Sequence, residues 1–281
     1  MIDAIEAIRA LYARAPGAGT SGRVIARGDG AKLRALVAVD GAVMGAKLHA
    51  QSRRGDSAFL LALFDADTGR LLGLLDGREV TAVRTAATSA VAVDLLAPQG
   101  PLRVGILGSG REAQSHARAL RAVRDVESLA VYSPTLEKRE AFAREHGAKA
   151  VDDPRTLVES SSVVVCAARS RDETPILDGD WLRDDAVVVS IGSTVPEQRE
   201  LDARALERAA FVLVDEPAEV LESGDGRAYP QLTEKLVALG DPIPDIAGIK
   251  IFKSVGSALQ DLAVGRLMLD DATTIELSGK R

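Results

Sequence analysis

RVGILGSGREAQSHARALRAV, residues 103–123, decides the fold. RVGIL is an apolar strand, and REAQSHARALRAV has the spacing of an amphipathic helix. Between them Gly108-Ser109-Gly110-Arg111-Glu112-Ala113 spells G-x-G-x-x-A. A strand that turns on such a string into a helix is the setting of a dinucleotide fingerprint. Gly108 permits the tight turn, Gly110 lets the backbone approach a pyrophosphate, and Ala113 lets helix and strand pack closely. The N–H groups of the helix start hold the anion, so all six residues are candidate cofactor contacts.

Downstream, strands and helices alternate. SLAVYS (128–133) precedes the helix PTLEKREAFAREHG (134–147), and AVDDPRTLVESS (150–161) leads to SVVVCAA (162–168), DAVVVSIGS (185–193) and FVLVDE (211–216). The last three are unbroken apolar runs, as strands covered on both faces are. This alternation predicts an α/β fold with a doubly wound, Rossmann-type parallel sheet and right-handed crossovers. Residues 218–240 read as helical, and 246–272 as a short turn and one more long helix. Ala167 and Ala168 end a strand on the side where such sheets bind ligands, which places them and the loop 169–174 beside the cofactor.

An NAD-specific site shows an acid at the end of the second strand, about 20 residues past the glycine loop. Here that strand ends Val131-Tyr132-Ser133-Pro134-Thr135, without an acid, and Lys138 and Arg139 follow. The hydroxyls of Ser133 and Thr135, with cations at Arg139 and Arg111, suit a 2′-phosphate. NADP(H) is therefore favoured over NAD(H).

Upstream of residue 103 the pattern differs. Residues 2–15 form an amphipathic helix, with Ile2, Ile5, Ile8 and Leu11 at helical spacing, and a Gly-rich link (16–22) follows. RVIA (23–26), LRALVAVD (33–40), VMGAKLHA (43–50) and FLLALFDADTGRLLGLLD (59–76) are apolar runs broken by turns. Asp67–Gly69 reads as a hairpin turn, and the stretch predicts an antiparallel sheet. TAVRTAATSAVAVDLL (81–96) is an Ala-rich helix that ends at the punctuation PQGP (98–101), the expected domain boundary.

The 281 residues suffice for one large domain or two ordinary ones, and 46% hydrophobic with 27% charged residues is the balance of a globular chain. Lys and Arg number 35 against 41 acids, for a net charge of −6, and no basic patch marks a nucleic-acid surface. The lone Cys166 allows no internal disulfide and fits a reducing compartment. No apolar run reaches membrane-span length, and the N-terminal stretch is unlike a signal peptide, so a cytoplasmic protein is expected. No His, Cys and carboxylate cluster has the spacing of metal ligands.

Three cations occupy unexpected settings. Lys47 lies in the apolar VMGAKLHA, where a buried ammonium needs an anionic partner. Arg84 lies in the Ala-rich helix beside Thr81, Thr85 and Thr88, and Arg23 opens a strand. Together they suggest a site for a small carboxylate, which guanidinium groups grip in two-pronged fashion. His49 shares a strand face with Lys47 and reads as a structural or surface residue, His116 and His146 as solvated, and Cys166 as core. Tyr229 and the loop 222–229 are candidates for covering the site.

Several stretches carry a family resemblance: GAKLHA, LFDADTGRLLGLLDGREVTAVRTAATSA, VGILGSGREAQSHARAL, SIGSTVPEQREL and IFKSVGSALQDLA. The chain resembles the ornithine cyclodeaminase/mu-crystallin family over most of its length. The resemblance implies a homodimer of two-domain subunits. Residues 1–97 with 246–281 would form an α+β substrate-binding and dimerisation domain, and 98–245 the dinucleotide-binding domain. It assigns the substrate-carboxylate arginines to Arg84 and Arg23, and the active-site lysine to Lys47. Deaminating members hold an aspartate where this chain has Thr194. A threonine is no base near neutral pH, which aligns the chain with the ketimine-reductase branch. Lys47, Arg84 and Thr194 are then the catalytic candidates for NAD(P)H-dependent reduction of an α-imino acid. A deaminating cyclase and a mu-crystallin-like binding protein are the alternatives.

Overall fold

The computed structural model describes residues 1–14, 19–168 and 173–271. The expected loop 169–174 therefore falls largely outside the described residues, as does part of the Gly-rich link. The chain divides into two compact units, Thr85–Gly256 and Ile2–Arg84 with the segment from Ser257 onward.

The smaller unit is built on an antiparallel sheet. After α1 (Ile2–Ala13), the strands β1 (Gly19–Thr20), β2 (Val24–Gly28), β3 (Ala31–Asp40), β4 (Val43–Gln51), β5 (Ser57–Asp65) and β6 (Leu71–Asp76) follow. They pair in the order β1-β3-β4-β5-β6, with β2 also on β3. Asp29 and Gly30 both have positive φ between β2 and β3, the two-residue turn whose twist matches a hairpin. The expected turn at Asp67–Gly69 joins β5 to β6; Asp65 accepts from the Thr68 N–H at 2.8 Å, and Gly69 has φ 70°. One sheet face buries Leu36, Ala38, Val43, Leu61 and Leu63 against Ala258 and Leu262 of the last helix, α9 (Ala258–Gly265). Gly45 and Gly265 make this packing possible, because a Cβ on either would come within 2.7 Å of a leucine side chain.

Helix α2 (Gly77–Leu96) leads into the larger unit. There β7 (Leu102–Leu107), α3 (Arg111–Val123), β8 (Val126–Tyr132), α4 (Leu136–His146), β9 (Lys149–Ala150), α5 (Pro154–Ser160), β10 (Val163–Cys166) and β11 (Val187–Ser190) come in sequence. They are followed by α6 (Ala203–Arg208), β12 (Ala209–Val214), α7 (Pro217–Leu221), α8 (Gly224–Ala228), β13 (Leu236–Ala238) and β14 (Ile249–Lys253). The sheet order is β13-β12-β14-β11-β10-β7-β8-β9, and every pairing is parallel. All residues of β10 and β11 are buried, as their unbroken valine runs require of strands covered on both sides. The expected α/β, doubly wound class is the fold observed.

Several expectations need correction. Residues 246–272 are not one long helix: Ile249–Lys253 is a strand between β11 and β12, and α9 is short. The return to the smaller unit accordingly falls at residue 257 instead of 246, and the first division lies at 84/85, inside α2, instead of 97/98. Residues 218–240 hold two short helices, a 3₁₀ stretch and β13. Tyr229 follows the short helix α8 and packs, partly buried, on the core of the parallel sheet. His116 and His146 are buried, not solvated. His116 donates from Nδ1 to the Glu112 carbonyl (2.7 Å), so its Nε2 accepts from Ser89 Oγ (2.9 Å). His146 leans on Phe142, and burial lowers its pKa. Cys166 is fully buried core, as expected.

Candidate active site

Lys47 and Arg84 converge on one carboxylate. Lys47 sits in mid-β4 on the covered sheet face, opposite Leu36 and Leu61 in register. Its Nζ lies 2.8 Å from Asp261 Oδ1 and 2.7 Å from Oδ2, with Thr81 Oγ1 at 3.4 Å. Arg84 follows Thr81 by one helical turn on α2. Its Nε is 3.2 Å from Asp261 Oδ1, and its Nη1 donates to Gln260 Oε1 at 3.0 Å. Gln260 Nε2 in turn donates to Tyr12 Oη at 2.8 Å, which ties α1 to this face. Lys47, Arg84, Gln260 and Asp261 are all buried.

Two cations thus share one carboxylate, and Arg23 is near enough to act on Lys47 electrostatically. Burial depresses the Lys47 pKa to about 8, opposed by Asp261 and reinforced by Arg84 and Arg23. Such a cluster gathers buried cations at one point and is a candidate receptor for a small carboxylate. Its lysine exchanges a proton within the physiological range. Asp261 and Gln260 were not anticipated as site residues. The signal for Asp261 was the anionic partner that a buried Lys47 demands. His49 stacks on Phe59 with ring centroids 3.9 Å apart, a structural setting, and has Arg34 Nη1 3.4 Å from Nδ1.

In the larger unit the carboxyl ends of β7, β10 and β11 lie side by side. Gly108 has φ 120°, and a Cβ there would stand 2.6 Å from the Ala167 carbonyl oxygen and 2.9 Å from the Ala168 nitrogen. Only glycine permits that approach, which brings Ala167 and Ala168 against the turn. A Cβ on Gly110 would meet nothing within 4 Å, and Gly110, the N-cap of α3, has no side chain to cap the helix start. The space over these N–H groups fits a pyrophosphate, with Ser109, Arg111 and Glu112 around it. Ala113 is fully buried and seats α3 on the sheet.

At the tip of β8, Ser133 is buried and its carbonyl accepts from Arg139 Nη1 at 3.1 Å. Arg139 also pairs with Asp152 and lies over the Tyr132 ring, so its guanidinium braces the tip from beneath. Thr135 is the exposed N-cap of α4 and makes no side-chain cap bond. Thr194 lies part-exposed on the loop 191–199 after β11, where Ser193 Oγ donates to the Gln198 carbonyl at 2.5 Å.

A parallel sheet that feeds a glycine turn into an open helix start, joined to a separate unit bearing a buried Lys–Asp–Arg cluster, defines a nucleotide-dependent oxidoreductase fold. Residues 32–276 match the ornithine cyclodeaminase/mu-crystallin family, and the chain belongs to it. It is 31% identical over 215 residues to the ketimine reductase mu-crystallin of Mus musculus, covering 74% of this chain and 67% of that protein. Identity is 33% over 215 residues to a Delta(1)-pyrroline-2-carboxylate/Delta(1)-piperideine-2-carboxylate reductase of Azospirillum brasilense, covering 74% and 68%. The structure of a probable ornithine cyclodeaminase from Bordetella pertussis superimposes with a TM-score of 0.86 at 32% identity, covering 95% of this chain and 92% of that one.

Proposed function

We propose that this chain is an NAD(P)H-dependent oxidoreductase that reduces an α-imino acid, cyclic ketimines included, to the α-amino acid by hydride transfer to C2. The carrying observation is the convergence of the buried Lys47 and Arg84 on Asp261, two cations suited to a carboxylate, in a chain that also bears the dinucleotide turn. The two reductase relatives support the same substrate class. When bound, the nicotinamide supplies the hydride. Arg84, with Arg23, grips the substrate carboxylate through its planar fork. Lys47 adds charge there and holds or releases a proton at the substrate nitrogen, for which a pKa near 8 is suited. Thr194 hydrogen-bonds that nitrogen or a water beside it. An iminium already carries its proton, so reduction asks for orientation and electrostatics more than for a strong acid.

NADP(H) is the preferred cofactor in this reading. The Ser133 and Thr135 hydroxyls stand at an uncapped helix start, Arg139 braces the strand tip, Lys138 is exposed three residues past Thr135, and Arg111 is exposed at the start of α3. The working form is a cytoplasmic homodimer. Leu33, Ala35, Val37 and Val39 share a sheet face with Met44, Ala46 and Leu48 of β4 and with Leu60, Ala62 and Phe64 of β5. Leu33, Val37, Val39 and Leu60 are exposed, and a second copy would cover this face. Light scattering should give the mass of two chains, and Val37→Asp should return it to one.

The deciding assay follows NADPH oxidation with pyrroline-2-carboxylate and piperideine-2-carboxylate, repeated with NADH. Turnover with NADPH ahead of NADH supports both parts of the reading. Tight NADPH binding without turnover on any imine would move the assignment to a ligand-binding protein. Ammonia release from ornithine would move it to a deaminating cyclase.

A further inference from the structure

A second buried ion cluster lies wholly within the larger unit. Lys253, at the end of β14, is fully buried, with Nζ 2.7 Å from Asp225 Oδ2, 3.3 Å from Ser190 Oγ and 3.2 Å from the Ser193 carbonyl. Asp225, on α8, accepts at Oδ1 from the backbone N–H groups of Glu200 (3.0 Å) and Leu201 (3.2 Å). Glu200 Oε2 accepts from Ser190 Oγ at 2.7 Å and from the Gly192 N–H at 2.8 Å. Among the described residues Glu200 Oε1 has no hydrogen-bond partner, and it sits in a niche that glycine alone leaves open: a Cβ on Gly192 would lie 2.3 Å from it and 2.8 Å from the Ala168 carbonyl.

These contacts pin the loop 191–199 at both ends. Gly192 is held by Glu200, the Ser193 carbonyl by Lys253, and the Glu200–Leu201 backbone by Asp225. Thr194 hangs between the pins. Two carboxylates compete for one ammonium, and Asp225 has the ion pair together with two N–H donors. Glu200 has only neutral donors.

We propose that Glu200 is a positioning residue for the proposed reduction: its carboxyl, accepting from Ser190 Oγ and the Gly192 N–H, sets the loop that carries Ser193 and Thr194. The inference rests on the reading of the chain as an imine reductase. The groups facing Glu200 are Ser190 of β11, Lys253 of β14, Asp225 of α8 and Cys166 of β10. Burial raises its pKa to about 7, against the opposing pull of Lys253 and Ser190.

The test compares Glu200→Gln with Glu200→Ala. Gln keeps a neutral acceptor for Ser190 and Gly192, so its kcat on the imine should stay within about threefold of wild type below neutral pH. Ala leaves both donors unmet, and kcat should fall about tenfold or more with KM for the imine nearly unchanged. The ratio of kcat for Gln to that for wild type should climb as pH passes about 7, where wild-type Glu200 ionises. The substrate's and Lys47's titrations cancel in that ratio.

A second readout needs no turnover. Because the folded pKa lies above the unfolded value of 4.5, wild type should lose Tm relative to Glu200→Gln between pH 4.5 and about 7, with a constant difference above that. A flat Tm difference, or folded Glu200→Ala with wild-type kcat, overturns the proposal. Failure of the wild-type chain to reduce any imine would defeat the proposed reaction and the positioning role with it. The Tm series would still decide whether Glu200 keeps its proton.

Discussion

The two buried ion clusters use the same residue types in opposite proportion. Around Asp261 two cations share one carboxylate; around Lys253 one carboxyl group, Asp225, is ion-paired, and a second, Glu200, is near enough to act electrostatically. In each, a group of the surplus sign has its ionisation displaced: Lys47 down to about 8, Glu200 up to about 7. The chemical consequences differ. Surplus positive charge can be met by an incoming carboxylate, whereas surplus negative charge in a fully enclosed site is met by a proton. In the proposed reading the first cluster receives a ligand and the second holds a loop.

That contrast can be broken first at its hubs. Lys253→Met strands the buried Asp225 carboxylate and should cost about 3–5 kcal/mol of stability in urea unfolding. Asp261→Asn should cost less, because Lys47 and Arg84 retain 7% and 6% exposure while Lys253 has none. An equal or larger loss for Asp261→Asn would erase the distinction between an open and a closed cluster. Next in size, Arg84→Lys keeps the charge but loses the planar fork. We expect kcat/KM for the imine to fall about tenfold to a hundredfold, chiefly through KM.

The pH profile sharpens the comparison further. Imine reduction should decline as pH rises through about 8, where Lys47 loses its proton, and Lys47→Arg should remove that limb. The stability sign is opposite: the folded pKa of Lys47 lies below its unfolded value of 10.5, so its contribution to stability should grow between pH 8 and 10.5. The smallest effect belongs to the β8 tip. Ser133→Ala and Thr135→Val should each reduce the preference for NADPH over NADH by a few-fold, about 1 kcal/mol, read from paired Kd values.

Local chemistry was legible in the sequence, and distant pairing was not. The glycine turn and the valine runs announce themselves because strand, turn and helix start are contiguous. The need of Lys47 for an anion was equally plain, but Asp261 stands 214 residues away and only the tertiary fold brings it in. Ile249–Lys253 was read as part of a helix because a short apolar run fits either period, and the sheet decides between them. Glu200 ends the polar run Pro196-Glu197-Gln198-Arg199-Glu200, whose composition suggests a solvated loop. His116 was misjudged because the partner that buries it, Ser89, lies on a helix 27 residues earlier.

β14 comes last in the chain order of the parallel sheet, yet it lies inside it, between β11 and β12. A chain leaving the ribosome therefore carries two unfilled valine-rich edges until residues 249–253 emerge and slide between them. Closing such distant parallel contacts is slow, and bare edges of this kind invite pairing with other chains. The hazard in making this protein thus falls in the interval before residues 249–253 emerge, and a chaperone that shields it would act on a sheet still missing one central strand.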